Sequence, residues 1–475
     1  MSFKHVGFQG SGLLAKRGFL ALGFLAIART MGPAAFGDFT YVCTWLFVFS
    51  LVLGLGLAPV TTREIARDPQ MAHTILRFGL LIRIVLSILG IVLLNVLFDC
   101  TPIGRPGIRG YAFLASLCLP PLAFSDQISA YALGFDAHHR FAIVNVTLWG
   151  CYLGSTVLAL ALGRSLLWVF AAQLAAVWMA ALICGFWFRR ALSRTVSISE
   201  GWDTSVFLLR EAIPLAITSV LGILSFRIGA FLLYRFTGPR ETGLYTSALQ
   251  VVEGLQLIAM AVTGAKFPAI CRAANDKNRT NGVVEKLFLV LAFLGLYVAA
   301  TVCVIGNRLM ALVFGQSFRP AGHLLAILIW TSVPMFLHYG LTYVLIAANR
   351  QRVFVFETVV YLAVSATANV ALIQRYGAVG AVYAAVLSES ALLVMHLFFV
   401  VSRVRVGRLL AWAVFPFLLA IVVLYFGTTW EHDINATLPS ILAFCAASLG
   451  LFGAGYWLYW RLSTQMRPPI AIPAI

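Results

Sequence analysis

The chain has 475 residues, of which 61% are hydrophobic and only 11% charged, with a mean hydropathy of +0.93. Soluble domains carry about 25% charged residues and about 45–50% apolar ones, so a soluble fold has too little interior for this much apolar surface and lipid must be the solvent. The remaining charge is lopsided, 34 Lys and Arg against 17 Asp and Glu for a formal +17. A nucleic-acid binder would carry such an excess on a polar, water-soluble surface, and this composition leaves no room for one.

A helix needs about 20 mostly apolar residues to cross the hydrocarbon. On that rule the chain is an all-α integral membrane protein of about fourteen transmembrane helices. The predicted spans run 8–29, 39–61, 75–98, 110–133, 141–162, 166–188, 206–235, 243–265, 284–305, 322–347, 353–373, 378–400, 408–427 and 438–460. Connections are short, with none long enough for a soluble catalytic domain. Lys16-Arg17 interrupts the first apolar run, and no small-residue cleavage site follows, so span 1 reads as a retained helix rather than a signal peptide.

Orientation follows from the loops. With the N-terminus in the cytoplasm, twenty-one of the basic residues fall inside and nine outside. The positive-inside rule favours that choice, and an even number of spans then places both termini in the cytoplasm. The eight cysteines form no C-x-x-C pair and fall mostly in apolar runs, as small buried hydrophobes do.

Four basic residues remain within spans: Lys16 and Arg17 in span 1, Arg83 in span 3 and Arg227 in span 7. A charge at a helix centre costs about 2.5–3.5 kcal/mol on insertion scales, so each needs a reason. One reason is a cationic substrate site, since the planar arginine fork pairs bidentately with phosphate oxygens. The other is ion pairing with Asp126, Glu253, Glu357 or Glu389, or snorkelling of Lys16 and Arg83 toward the cytoplasmic face. Among the acids, Glu253 in span 8, Glu389 in span 12 and Asp126 in span 4 are candidates for ion coupling, or partners for the arginines. His338 and His396 read first as core histidines. Pro121, Pro214, Pro334 and Pro416 are expected to kink their spans. Gly54-x-Gly56 reads as close helix packing, and Trp457, Tyr459 and Trp460 as an interfacial belt.

The chain repeats itself. Arg29, Gly32, Pro33 and Gly37 superpose on Arg235, Gly238, Pro239 and Gly243 at one constant offset. A looser echo matches Pro121 through Arg140 with Pro334 through Arg352. The offset spans six helices, an even number, so both copies enter the membrane in the same sense as a parallel repeat. The predicted organisation is an N-terminal lobe over 1–200 (spans 1–6), a C-terminal lobe over 201–402 (spans 7–12) and two additional spans, 13 and 14, over 403–475. Two six-helix lobes of this kind are expected to face each other across a central cavity. The basic residues of spans 1 and 7, equivalent by the repeat, would approach it from opposite sides.

Residues 28–37 (ARTMGPAAFG) and 54–67 (GLGLAPVTTREIAR) resemble the opening of Wzx-type polysaccharide flippases of the MOP exporter superfamily. Gly238-Pro239 through Lys266-Phe267-Pro268, and Leu312 through Leu325, are similar to later parts of the same family. The lipid II flippases and the MATE antiporters are its relatives. The resemblance implies alternating-access export of a polyprenyl-pyrophosphate-linked oligosaccharide to the outer leaflet of the inner (cytoplasmic) membrane, for O-antigen, exopolysaccharide or capsule synthesis. It also implies a cationic central cavity, membrane lipid as a partner, and a polysaccharide polymerase and chain-length regulator nearby. Members often carry an Asp-Arg pair in span 7. Here Phe226-Arg227 keeps the arginine without the acid, which puts an ion-coupling role at that position in doubt.

The sequence has no H-E-x-x-H, Walker loop, Cys/His metal cluster or Asp-x-Asp motif. The reading is therefore not an enzyme, with no cofactor, no metal and no ATP site, driven by membrane potential or an H+ or Na+ gradient. A lipid II-type flippase or a cation-coupled drug antiporter is the alternative, and a membrane polysaccharide polymerase or ligase a third.

Overall fold

The computed structural model describes residues 3–100, 106–163, 165–192, 198–273, 276–348, 350, 352–401, 404, 406–433 and 438–465. Arg105, Arg164, Arg194, Arg403, Arg405 and Arg467, counted above as orientation signals, lie outside them. In chain order the helices are α1 (Phe3–Gly54), α2 (Leu57–Arg67), α3 (Ala72–Cys100), α4 (Arg109–Ser116), α5 (Leu119–Gly134), α6 (His138–Ala161), α7 (Leu166–Trp187) and α8 (Arg189–Leu192). They continue with α9 (Ile198–Phe236), α10 (Pro239–Ala273), α11 (Lys277–Phe314), α12 (Ala321–Leu328), α13 (Ser332–Ala347), α14 (Arg352–Val400), α15 (Val406–Asp433) and α16 (Leu438–Gln465).

Each predicted span falls on helix along most of its length. Among the described residues nine helices are long and apolar enough to cross a membrane, and a bent pair within α9 raises this to ten. Two of the nine each hold two predicted spans about a glycine. In α1 the break is Gly32 (φ 76°, ψ 179°), and in α14 it is Gly377 (φ 58°, ψ −133°). Both have φ in the region that L side chains avoid. Pro33 follows the first break, where its fixed φ suits a helix start. The prolines of span 4 act the same way: Pro120 and Pro121 open α5 after the break from α4. Pro334 sits in the first turn of α13 beyond the break from α12.

Gly54-x-Gly56 is not a packing motif. A Cβ on Gly54 would meet nothing within 4 Å, and Leu55 (φ 46°) and Gly56 (φ 66°) are both left-handed. The segment is a turn that stops span 2 and launches α2, an amphipathic helix burying Leu57, Val60, Thr61 and Ile65 at helical spacing.

Helix α3 shows how a span divides its faces. Val85, Ile88, Leu89, Val92 and Val96 form an exposed apolar stripe, while Leu80, Arg83, Ser87, Leu94 and Phe98 are buried on the other side. With no water in the hydrocarbon, such a stripe is the lipid face, and close packing rather than the hydrophobic effect holds helix to helix.

Contacts divide the chain into two compact units, Met1–Gly243 and Leu244–Ile475. In the first, α1 packs along α6, α6 on α7, α5 on both α2 and α3, and α9 on α1 and α3. In the second, α11 is the central helix, packed by α12, α13, α15 and α16. Leu289, Phe293, Leu296 and Ala300 of α11 meet Ala420, Val423 and Phe452 of α15 and α16. The two additional spans therefore buttress α11, and Thr301 Oγ1 donates to Ser448 Oγ at 3.1 Å.

The repeat is written into the backbone. Gly238 (φ 97°) matches Gly32 in its positive φ, and each precedes a proline that opens a helix. A Cβ on Gly37 would lie 1.8 Å from the Pro239 carbonyl oxygen, and one on Gly243 would lie 1.9 Å from that of Pro33. That reciprocity is what a two-fold relation between copies produces. Beside it Tyr234 Oη donates to Asp38 at 2.6 Å and its ring stacks on Tyr41 at 3.8 Å.

Candidate functional site

The first unit brings two of the four span-embedded bases, Arg83 and Lys16, to one acid, Asp126. Arg83 is 2% exposed, and its Nη1 donates to Asp126 Oδ2 at 2.6 Å, while the Asp126 side chain is 58% exposed. It is thus a buried ion pair with one open side, and not a side chain snorkelling to the cytoplasmic face. Arg83 Nε has no hydrogen-bond partner. Lys16 lies within electrostatic reach of both Asp126 and Arg17, and its Nζ sits 5.1 Å from the Trp149 ring centroid, a cation–π contact. Arg17, the next residue along the same helix, is exposed.

Local sequence explains the arrangement. Gly79, one turn before Arg83, lacks the Cβ that would stand 2.3 Å from Gln127 Nε2. The Gln127 amide instead donates to Thr61 Oγ1 at 3.1 Å. This fixes the turn of α5 that presents Asp126 to α3. Two bases against one half-exposed acid leave a net positive group whose carboxylate is open on one side, where a competing anion could displace it.

Arg227 lies on α9 where the helix axis turns by 48° between Ser219–Ser225 and Arg227–Phe236. The bend has a cause in sequence: Ser225 Oγ donates to the Leu221 carbonyl at 2.7 Å, a back-bond that bends helices. This bend lies beyond Pro214, where the sequence predicts a kink, and no proline marks it. Arg227 is half-buried and engages neighbouring groups. On α10, Glu253 is likewise half-buried and engaged.

The second unit holds a different chemistry. Glu389 is 6% exposed and meets no arginine in its hydrogen bonds. His338 Nε2 lies 3.2 Å from its Oε2, and Tyr361 Oη donates to its Oε1 at 3.0 Å. Glu357, read above as a partner for an arginine, instead lies 3.5 Å from His396 Nδ1. His338 and His396, expected to be ordinary core histidines, thus each face a carboxylate, with ring centroids 5.4 Å apart. The periodicity of one span does not reveal such pairs, because the partners come from different spans. Among the described residues no group of three or more His, Cys, Asp or Glu could hold a metal ion.

The family described as "Polysaccharide biosynthesis protein" matches residues 3–274, more than half of the chain. The chain belongs to this family. It is 26% identical over 179 residues to the "probable low-salt glycan biosynthesis flippase Agl15" of Haloferax volcanii, a match that takes in 36% of this chain and 37% of that protein's length. Among solved structures it is similar to the lipid II flippase MurJ in an inward closed conformation, with a TM-score of 0.77 at 9% identity over 97% of this chain and 100% of the other. It is also similar to an inward-facing MATE multidrug transporter of the MOP superfamily, with a TM-score of 0.63 at 16% identity over 84% and 95%. A MOP superfamily transporter of Pyrococcus furiosus gives 0.57 at 16% identity over 91% and 95%. The fold of this family member is thus that of the MOP transporters, and the chain is a multi-pass membrane protein.

Proposed function

We propose that this chain is a flippase that moves a polyprenyl-pyrophosphate-linked oligosaccharide from the cytoplasmic to the outer leaflet of the inner membrane by alternating access. It would supply a polysaccharide polymerase and its chain-length regulator. The observation that carries the reading is the convergence of Arg83 and Lys16 on the half-exposed carboxylate of Asp126, with exposed Arg17 beside Lys16 on α1. A pyrophosphate offers the oxygens that arginine forks bind bidentately, and Arg227 at the bend of α9 is assigned to the same anion. The glycan flippase relative and the lipid II flippase fold support the substrate class. A drug-cation antiporter would need acids where this chain places bases. Export of an anion is helped by an inside-negative potential, at about 2.3 kcal/mol per charge per 100 mV. An H+ or Na+ gradient is the other source of energy.

The test replaces Arg17 and Arg227 with Ala and with Lys. Surface polysaccharide is then measured per unit of membrane-inserted protein in a strain that depends on this chain. Each Ala variant is expected to lower polymer at least tenfold, and each Lys variant to lower it less. Normal polymer from both Ala variants would remove the arginines from the substrate site.

A further inference from the structure

Three helical faces converge on the acid–histidine cluster of the second unit. His338 and Thr342 are one turn apart on α13, Glu357 and Tyr361 one turn apart on the first half of α14, and Glu389 and His396 two turns apart on its second half. The hydrogen bonds among them assign the protons. Both oxygens of Glu389 are partnered, because Tyr361 Oη donates to Oε1 and His338 Nε2 lies 3.2 Å from Oε2. Nδ1 of His338 is buried with no partner, so a second proton there would have nothing to donate to. His338 thus presents one ring nitrogen to Glu389 and leaves the other without a partner.

The other pair is built differently. His396 Nδ1 lies 3.0 Å from the Leu392 carbonyl, which only accepts, so Nδ1 carries a hydrogen. Its Nε2 lies 3.0 Å from Thr342 Oγ1, and that hydroxyl also lies 2.9 Å from the His338 carbonyl. Thr342 has one proton for two acceptors. If it gives that proton to His396, the imidazole is neutral. If it gives it to the His338 carbonyl, Nε2 must donate to the hydroxyl oxygen and His396 is an imidazolium. Glu357 is 2% exposed, and neither of its oxygens accepts a hydrogen bond. Without a proton on the pair, that carboxylate would stand bare in a low-dielectric interior, which is strongly unfavourable.

We propose that His396 and Glu357, with the Thr342 hydroxyl as their rotor, form a site for one exchangeable proton. The second unit in the conformation described holds that proton and gives it up only in a conformation that exposes Glu357. The bond changes balance. Loading places a proton on His396 Nε2 and turns the Thr342 hydroxyl to the His338 carbonyl. Unloading passes the Nε2 proton to water and turns the Thr342 hydroxyl, which keeps its own proton, back to donate a hydrogen bond to Nε2. The consequence for transport rests on the flippase reading above and makes H+ the coupling ion. The groups facing the pair are His338 and Tyr339 on α13 and Tyr361 and Glu389 on α14. From α10 come Gln256, whose Nε2 donates to Tyr339 Oη, and Tyr245, which acts electrostatically on Tyr361. Glu253 lies one turn before Gln256, α11 brings buried Glu285 and exposed Lys286 behind α13, and α12 carries only exposed His323.

The experiment counts protons taken up by the purified full-length chain in detergent on acidification of a weakly buffered solution. Wild type is compared with Glu357→Gln, His396→Gln, Thr342→Val and His338→Gln, each checked for a monodisperse elution profile. Wild type is expected to take up one proton more than Glu357→Gln and His396→Gln. Thr342→Val should keep the proton while shifting its apparent affinity at least threefold, and His338→Gln should keep the count. Identical uptake by wild type, Glu357→Gln and His396→Gln overturns the site. If those two variants do not fold, an unshifted Thr342→Val titration overturns it. Whether the unmutated chain restores surface polysaccharide to a deletion strain is read separately, so a failed flippase reading and a failed proton site give different results.

Discussion

At the residue scale a double-mutant cycle separates the structural role of the Arg83–Asp126 pair from the substrate role proposed for Arg83. Removing the acid leaves a guanidinium in a nearly closed site. Loss of one partner of a buried charge costs roughly 3–5 kcal/mol, and the open side of Asp126 lowers that to about 2 kcal/mol. Asp126→Asn is therefore expected to lower the thermal midpoint of the detergent-solubilised chain. Adding Arg83→Met should restore the midpoint, because no charge is then stranded. Surface polysaccharide should stay low in the double variant if Arg83 also binds the substrate anion. Recovery of both together would make Arg83 purely structural. An unchanged midpoint in Asp126→Asn would mean that the pair does not hold the arginine. The sequence marked these residues as needing partners, since charge in hydrocarbon is costly. It could not show that Arg83 takes Asp126 while Glu357 and Glu389 take histidines. The choice depends on which turns of separate helices face one another, and Gly79 and Gln127 decide one such register by shape.

At the scale of elements the legible features were those with a backbone cause. Gly32-Pro33 and Gly238-Pro239 read as matching breaks because glycine takes positive φ and proline opens helices, and both do so in the structure. Gly54-x-Gly56 misled because a glycine pair serves close packing and tight turns equally well, and only the left-handed Leu55 and Gly56 separate the two. The bend at Arg227 was hidden for another reason: a serine back-bond leaves no mark beyond a common residue. The reciprocal contact of Gly37 and Gly243 makes a sharp prediction. A methyl group at either position would press into the other copy's proline carbonyl, with backbone and not a flexible side chain in the way. Gly37→Ala and Gly243→Ala are each expected to reduce folded protein in the membrane severalfold. Gly154→Ala on α6, where the added atom meets nothing within 4 Å, should be silent. Full yield from both variants would show that the helices do not approach as described.

At the scale of the whole molecule the positive-inside count reads most of the +17 excess as an orientation signal. Twenty-one of the 34 bases fall on the predicted cytoplasmic side and only four within spans, so the field of the protein and the chemistry of its site are set by different residues. The orientation can be tested with a group already present. Cys271, near the end of α10 in a predicted cytoplasmic segment, is the exposed one among the described cysteines. A membrane-impermeant maleimide should label it in inside-out vesicles and not in intact spheroplasts. Arg240→Cys and Arg319→Cys, at exposed positions on the predicted outer side, should label in spheroplasts when Cys271 is replaced by Ser. The opposite pattern would invert the chain in the membrane. Inversion would carry the basic termini of α2, α10 and α11 to the outer face, where they could not meet the proposed lipid-linked anion on the cytoplasmic side. The positive-inside count and the direction of transport therefore stand or fall on the same labelling experiment.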